Sequence, residues 1–223
     1  WSRSGATFTC NGTLTTAAND VLTVSTATNI EVVAQAVSLT ATTAGAGDRA
    51  INLRASSNQF SAGNSVVNGT VTANTGSISL SGGRVSGLVL SGCCTVTTNG
   101  TDLLGGARSN SSGISITGGT IQGDFFAANN SATFTGVDML SGSVSGASTV
   151  TFTNSTVGRP SVYVTVNSVS GAITLNNTTA YGSFTAPGYS TVNVNNASSV
   201  TGSCLPNSTP GNACQAGPLL SWS

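Results

Sequence analysis

The stretch Gly113–Gly123, GISITGGTIQG, decides the fold. Ile114 and Ile116 alternate with Ser115 and Thr117, the pattern of a strand with one apolar and one polar face. The glycine pair Gly118-Gly119 interrupts it, and Ile121 follows before Gly123. Almost the same phrase, SISLSGGRVSG, runs from Ser77 to Gly87. Laying Ile78 on Ile114 brings the two into phase, and halving that interval exposes a further copy between them.

At a step of 18 residues the leading column reads Phe60, Ile78, Val96, Ile114, Ala132, Val150. Two residues on it reads Ala62, Leu80, Thr98, Ile116, Phe134, Phe152, and seven on Val67, Val85, Leu103, Ile121, Met139, Val157. Nearly all are apolar. Four residues on, the column is Asn64, Gly82, Gly100, Gly118, Gly136, Asn154, residues that tolerate a left-handed backbone. Nine on, Gly69, Gly87, Gly105 and Gly123 mark a second bend, which Ser141 and Arg159 relax.

Short alternating strands punctuated by Gly or Asn at a fixed period predict an all-β chain, a single-stranded parallel β-solenoid with turns of about 18 residues. Stacked turns place equivalent residues ~4.8 Å apart, so like residues form ladders. The length allows about twelve such turns. A β-sandwich also uses short strands, but it does not demand a repeat locked at one step.

After Val157 the spacing loosens. Ile173 and Leu175 restart the pattern with Ala180 seven on, and Val192 and Val194 restart it again. The longer segment Gly158–Gly171, with Pro160 and SVYVTV, predicts a turn that bulges or gains a loop. Upstream, Ile30, Val32 and Val37 show the same offsets. The expected organisation is an N-terminal segment over 1–29, the solenoid over 30–200 and a disulfide-stapled segment over 201–223.

Composition narrows the function. The 223 residues include six acids and six basic residues, the latter all Arg, with no Lys and no His. A net charge of zero removes the electrostatic case for nucleic acid or an anionic membrane. No apolar run reaches the roughly 18 residues of a membrane span. Five cysteines without metal-type spacing, and a first residue Trp1 in place of Met, predict a mature, secreted, extracellular or cell-surface chain.

In repeat style the columns from Phe60 to Val157 resemble the secreted parallel β-solenoids of bacteria, such as haemagglutinin-repeat adhesins. The step is also similar to that of the polymer-forming bactofilins, which are cytoplasmic. The resemblance implies the fold and a binding or structural role, and carries no specific motif.

The absence of His excludes Ser–His–Asp and Cys–His sites. The acids are Asp20, Glu31, Asp48, Asp102, Asp124 and Asp138. Asp102 and Asp138 share a column two turns apart, roughly 9–10 Å between backbones, in the range of an inverting glycosidase pair. Arg84 heads that column, and a surface ladder of Arg84 on Asp102 is the expected role rather than catalysis. The expectation is no enzyme and no cofactor.

The outward positions read Ser79/Ser81, Thr97/Asn99, Ser115/Thr117, Thr133/Thr135, Thr151/Thr153, Thr174/Asn176 and Asn193/Asn195. This flat row of small polar residues resembles the Thr-x-Thr rows of insect and bacterial ice-binding solenoids. Ordinary hydrogen bonding along a solvated sheet is the expectation, ahead of that reading. Asn-x-Ser/Thr sequons occur at Asn11, Asn68, Asn99, Asn110, Asn129, Asn154, Asn176, Asn177, Asn196 and Asn207.

Cys204 and Cys214 bracket CLPNSTPGNAC, where a local disulfide is expected. Cys93 and Cys94 are adjacent, and neighbours in a strand face opposite ways, so Cys10 is the expected partner of one of them. One cysteine is left over, as a buried thiol or an intersubunit bond. Trp1 and Trp222 sit at the two extremities. An open solenoid exposes a strand edge at each end, and few charges guard these. The expectation is a secreted structural subunit that docks head to tail through Trp1 and Trp222 into an extracellular filament or matrix fibre. The alternatives are an adhesin for cell-surface or matrix glycans and an ice-binding protein.

Overall fold

The computed structural model describes residues 70–72, 77–188 and 190–205 with their side chains, and earlier the backbone of strands between residues 2 and 73. The early strands are β1 (Ser2–Ser4), β2 (Thr7–Leu14), β3 (Ile30–Leu39), β4 (Ile51–Ala55), β5 (Phe60–Gly63), β6 (Val66–Val67) and β7 (Val71–Ala73). The turns that follow have three sides. One holds β8 (Ile78–Ser81), β9 (Arg84–Val85) and β10 (Val89–Ser91), and the next β11 (Val96–Asn99), β12 (Asp102–Leu103) and β13 (Ala107–Ser109).

In later turns the second and third sides often run together. The strands are β14 (Ile114–Thr117) with β15 (Thr120–Ala127), and β16 (Ala132–Thr135) with β17 (Asp138–Gly146). Then come β18 (Val150–Thr153), β19 (Thr156–Val157) and β20 (Val164–Ser168), followed by β21 (Ile173–Asn176) with β22 (Thr179–Thr185). The last rung pairs β23 (Val192–Asn195) with β24 (Ser199–Leu205). Apart from β1, antiparallel on β2, every strand pairs in parallel with its counterpart in the neighbouring turn. There is no helix among the described residues.

The chain is therefore a parallel β-solenoid. The step of 18 is literal: Ile78, Val96, Ile114, Ala132 and Val150 are successive Cα partners. Ile173 and Val192 continue the column. Among the residues described with their side chains, seven rungs thus run from β8 to β23, and β5 and the end of β3 continue their column upstream. Later turns lengthen, with 23 residues from Val150 to Ile173 and 19 from there to Val192.

From β8 onward the strands bury alternate residues over most of their length, and the interior there is a continuous apolar column. Phe134 and Phe152 stack with centroids 4.6 Å apart, close to the rung spacing, and Phe125 meets Phe134 edge-on at 5.6 Å. Burying one such ring contributes roughly 1.5–3 kcal/mol. The third side supplies an inward column that the four sequence columns do not contain: Val71, Val89, Ala107, Phe125, Val144, Val166, Phe184 and Cys204.

The three corners use different chemistry. At the first, Gly82, Gly100, Gly118 and Gly136 have φ of 62–67°, and Asn154, Asn177 and Asn196 take over with φ of 51, 48 and 56°. Conformation alone sets this corner, since a Cβ on Gly100 or Gly136 would meet nothing within 4 Å. At the second, space is the constraint. A Cβ on Gly105 would lie 2.4 Å from Gly87, and one on Gly142 would lie 1.9 Å from the Gly123 carbonyl oxygen. The third corner is capped from inside by Ser91, Ser109 and Ser168, all buried.

Two register expectations need correction. The second-corner column does not pass to Ser141. Gly123 pairs with Gly142, because a one-residue bulge follows Ile121 and shifts the register there. Upstream, Val37 and not Ile30 lies on the Phe60 column, while Ile30 pairs with Ile51 and so belongs to the third side. Offsets of two and seven recur wherever one strand follows another, so they did not identify the side.

Candidate binding face

The first side, formed by β8, β11, β14, β16, β18, β21 and β23, is the most regular surface of the molecule. All six pairings along it are in register with no shift. The second and third sides carry the bulge and the long loop. Inward residues Ile78/Leu80 to Val192/Val194 anchor each rung in the core. Outward positions then fall on a grid, ~4.8 Å between rungs and ~6.6 Å between the two positions of one strand. Seven rungs make it ~29 Å long.

All fourteen outward residues are Ser, Thr or Asn. Side-chain bonds hold three of them: Asn195 Nδ2 donates to Asn176 Oδ1 at 3.2 Å, and Asn193 Oδ1 accepts from Thr191 at 2.9 Å. The other eleven, including Thr97, Ser115, Thr117, Thr133, Thr135, Thr151 and Thr153, have no side-chain hydrogen bond among the described residues. The expected hydroxyl ladder lies instead one column over, at the rim. There Thr95 donates to Ser77 at 3.2 Å and Ser131 pairs with Thr149 at 2.8 Å. Rim hydroxyls bond along the axis, and the face between is left to solvent.

The acid column is assembled but otherwise engaged. Asp102 is the Cα partner of Arg84, yet no ion pair closes between them. Asp102 Oδ1 instead accepts the Thr120 backbone N–H at 2.8 Å. Asp138 accepts two 2.6 Å bonds from Arg159 Nη2, a residue of the inserted loop. The expected Arg84–Asp102 ladder is thus replaced by a cap and by the Arg159–Asp138 pair. Loop residues Val162 and Tyr163 are exposed.

Cys93 and Cys94 are bonded to each other, which corrects the assignment of Cys10 to one of them. The strand argument did not apply, because residues 92–94 lie in the bend after β10 and their side chains do not alternate. Cys204 is disulfide-bonded, and its partner lies outside the described residues. The side chains of Cys10, Cys214, Trp1 and Trp222 also fall outside them, so the docking expectation has no geometry here.

Sequence reasoning placed the sequon residue Asn154 at the left-handed corner but did not carry that corner on to Asn177 and Asn196. Asn154, Asn177 and Asn196 are the exposed left-handed corner residues, and Asn177 Nδ2 donates to Asn154 Oδ1 at 2.8 Å. Their shared column was the available signal. It also missed the Arg108 guanidinium, 4.8 Å over the Phe126 ring on the third side. Among the described residues no group of three or more acids or cysteines gathers as a metal site. Compared with protein-family models, curated proteins and solved structures, the chain matches none.

Proposed function

We propose that the chain is a secreted solenoid that adsorbs, through its first side, to an ordered, uncharged, hydrogen-bonding lattice, and that this lattice is ice. The observation that carries the reading is the set of eleven outward side chains without a side-chain hydrogen bond among the described residues, on a face free of bulges. A single exchange of a water contact for a lattice contact is near neutral. Many exchanges made together, at fixed spacing, are not. The central residues Thr133, Thr135, Thr151 and Thr153 are β-branched and stiff at χ1, so little side-chain freedom is lost on docking. No charge sits on the face to demand its own hydration shell.

Thermal hysteresis and partition into slowly grown ice test this. The wild-type chain is expected to show both, and Thr133→Leu and Thr151→Leu to lose most of the activity while keeping the melting curve. A wild-type chain without hysteresis refutes it. Saturable binding to an uncharged soluble glycan instead would make the face that of an adhesin.

The repeat separately favours head-to-tail assembly into an extracellular fibre. The first-side rungs from β8 to β23 repeat one parallel pairing, so a strand of a second copy laid on such an edge would continue the stack. Such a contact does not close on itself. Negative-stain images decide this reading: filaments support it, and dispersed rods of one length refute it.

A further inference from the structure

The Cys93–Cys94 bond sits at the third corner, between β10 and β11, with both residues half-buried. A cross-link stabilises a fold chiefly by restricting the unfolded chain, and the effect grows with the loop it closes. This loop is the shortest a chain can make. The bond therefore adds little to the stability of the stack.

The corner does not need it for shape either. Cys94 N–H donates to Ser91 Oγ at 2.9 Å. One turn later Ser112 N–H donates to Ser109 Oγ at 3.0 Å, and further on Gly171 N–H donates to Ser168 Oγ at 3.1 Å. Each is the same serine-capped turn, three residues long, and Ser91, Ser109 and Ser168 lie in one column. Two of the three form without a cysteine.

We propose that Cys93–Cys94 is a thiol-exchange site whose substrate class is a dithiol. A thiolate attacks one Sγ, forms a mixed disulfide with it and releases the other Sγ as a thiolate. That thiolate is one residue away. With a monothiol it re-attacks the mixed disulfide, expels the monothiol and restores the starting bond. With a dithiol the second thiolate of the reagent attacks its own sulfur in the mixed disulfide and frees the second cysteine. Two electrons and two protons pass to the protein, giving two cysteine thiols and one oxidised, cyclic dithiol. The Ser91 cap and the pairing of β10 and β11 with their neighbours hold the corner throughout.

The test treats native protein with dithiothreitol, or with 2-mercaptoethanol at equal thiol concentration, followed by an iodoacetamide pulse and peptide mass spectrometry. Circular dichroism is followed in parallel. Cys93 and Cys94 are expected to be labelled at least ~10-fold faster with the dithiol than with the monothiol, and faster than buried Cys204, with the β signal unchanged. Labelling that needs loss of the β signal, equal response to both reagents, or a rate matching Cys204 overturns the proposal. The Cys93→Ser/Cys94→Ser double variant is expected to melt within a few degrees of wild type. Failure of that variant to fold would make the bond structural and also overturn it.

Discussion

Two corner glycines six residues apart, Gly136 and Gly142, separate the two reasons a solenoid uses glycine. At Gly136, φ is 63° and an added Cβ meets nothing within 4 Å. Gly136→Ala therefore pays only for a left-handed alanine, ~1–2 kcal/mol. Gly136→Asn is expected to cost under ~1 kcal/mol, since Asn tolerates this region and occupies the same corner at Asn154. At Gly142, φ is 110° and the Cβ would lie 1.9 Å from the Gly123 carbonyl oxygen and 2.5 Å from its carbon. Backbone on both sides must move, and the rung pairing of β15 with β17 moves with it. Adding overpacking of ~1–3 kcal/mol to the conformational term predicts ~2–5 kcal/mol for Gly142→Ala. Urea unfolding of the three variants, compared by midpoint at unchanged m, reads these differences. If Gly136→Ala costs as much as Gly142→Ala, or Gly136→Asn as much as either, the division of the corners into conformational and steric is wrong.

Thr98 and Thr101 are each 1% exposed, and neither hydroxyl has a partner. Thr98→Val, which keeps the shape and removes an unpaired hydroxyl, is expected to raise the urea midpoint by the equivalent of ~1–2 kcal/mol; a lower midpoint would show that the hydroxyl is satisfied. The Arg159 and Asp138 side chains are 33% and 46% exposed, so solvent screens their pair. Asp138→Asn is expected to cost less than ~1 kcal/mol, with the difference shrinking in high salt when thermal melts are compared.

The first side and its corner were legible because period and alternation act together there: large apolar residues at Ile78, Ile114 and Ile116 fall in phase with glycine at Gly82 and Gly118. The third side was not. Its inward column runs from Ala107 to Phe125, so side-chain size does not repeat, and its second inward position holds buried serines at Ser91 and Ser109. Those serines look like surface residues until their turn-capping bonds are seen. The outward face was legible as a pattern, but the absence of bonds between its hydroxyls was not, because that depends on rotamers. The vicinal bond escaped because strand alternation was applied to a bend.

The inserted loop separates the length of the chain from the length of the rod. Val150 and Ile173 remain partners although five residues more than the usual step lie between them. Most of the excess is exported at one corner, around Pro160 and Ser161, where the step between partners grows from Met139–Val157 to Val144–Val166, and the last residue of it falls between Ser168 and Ile173. That corner is a docking point for foreign sequence: a peptide grafted there would be carried at a fixed height on a rigid ruler, without disturbing the face on the opposite flank.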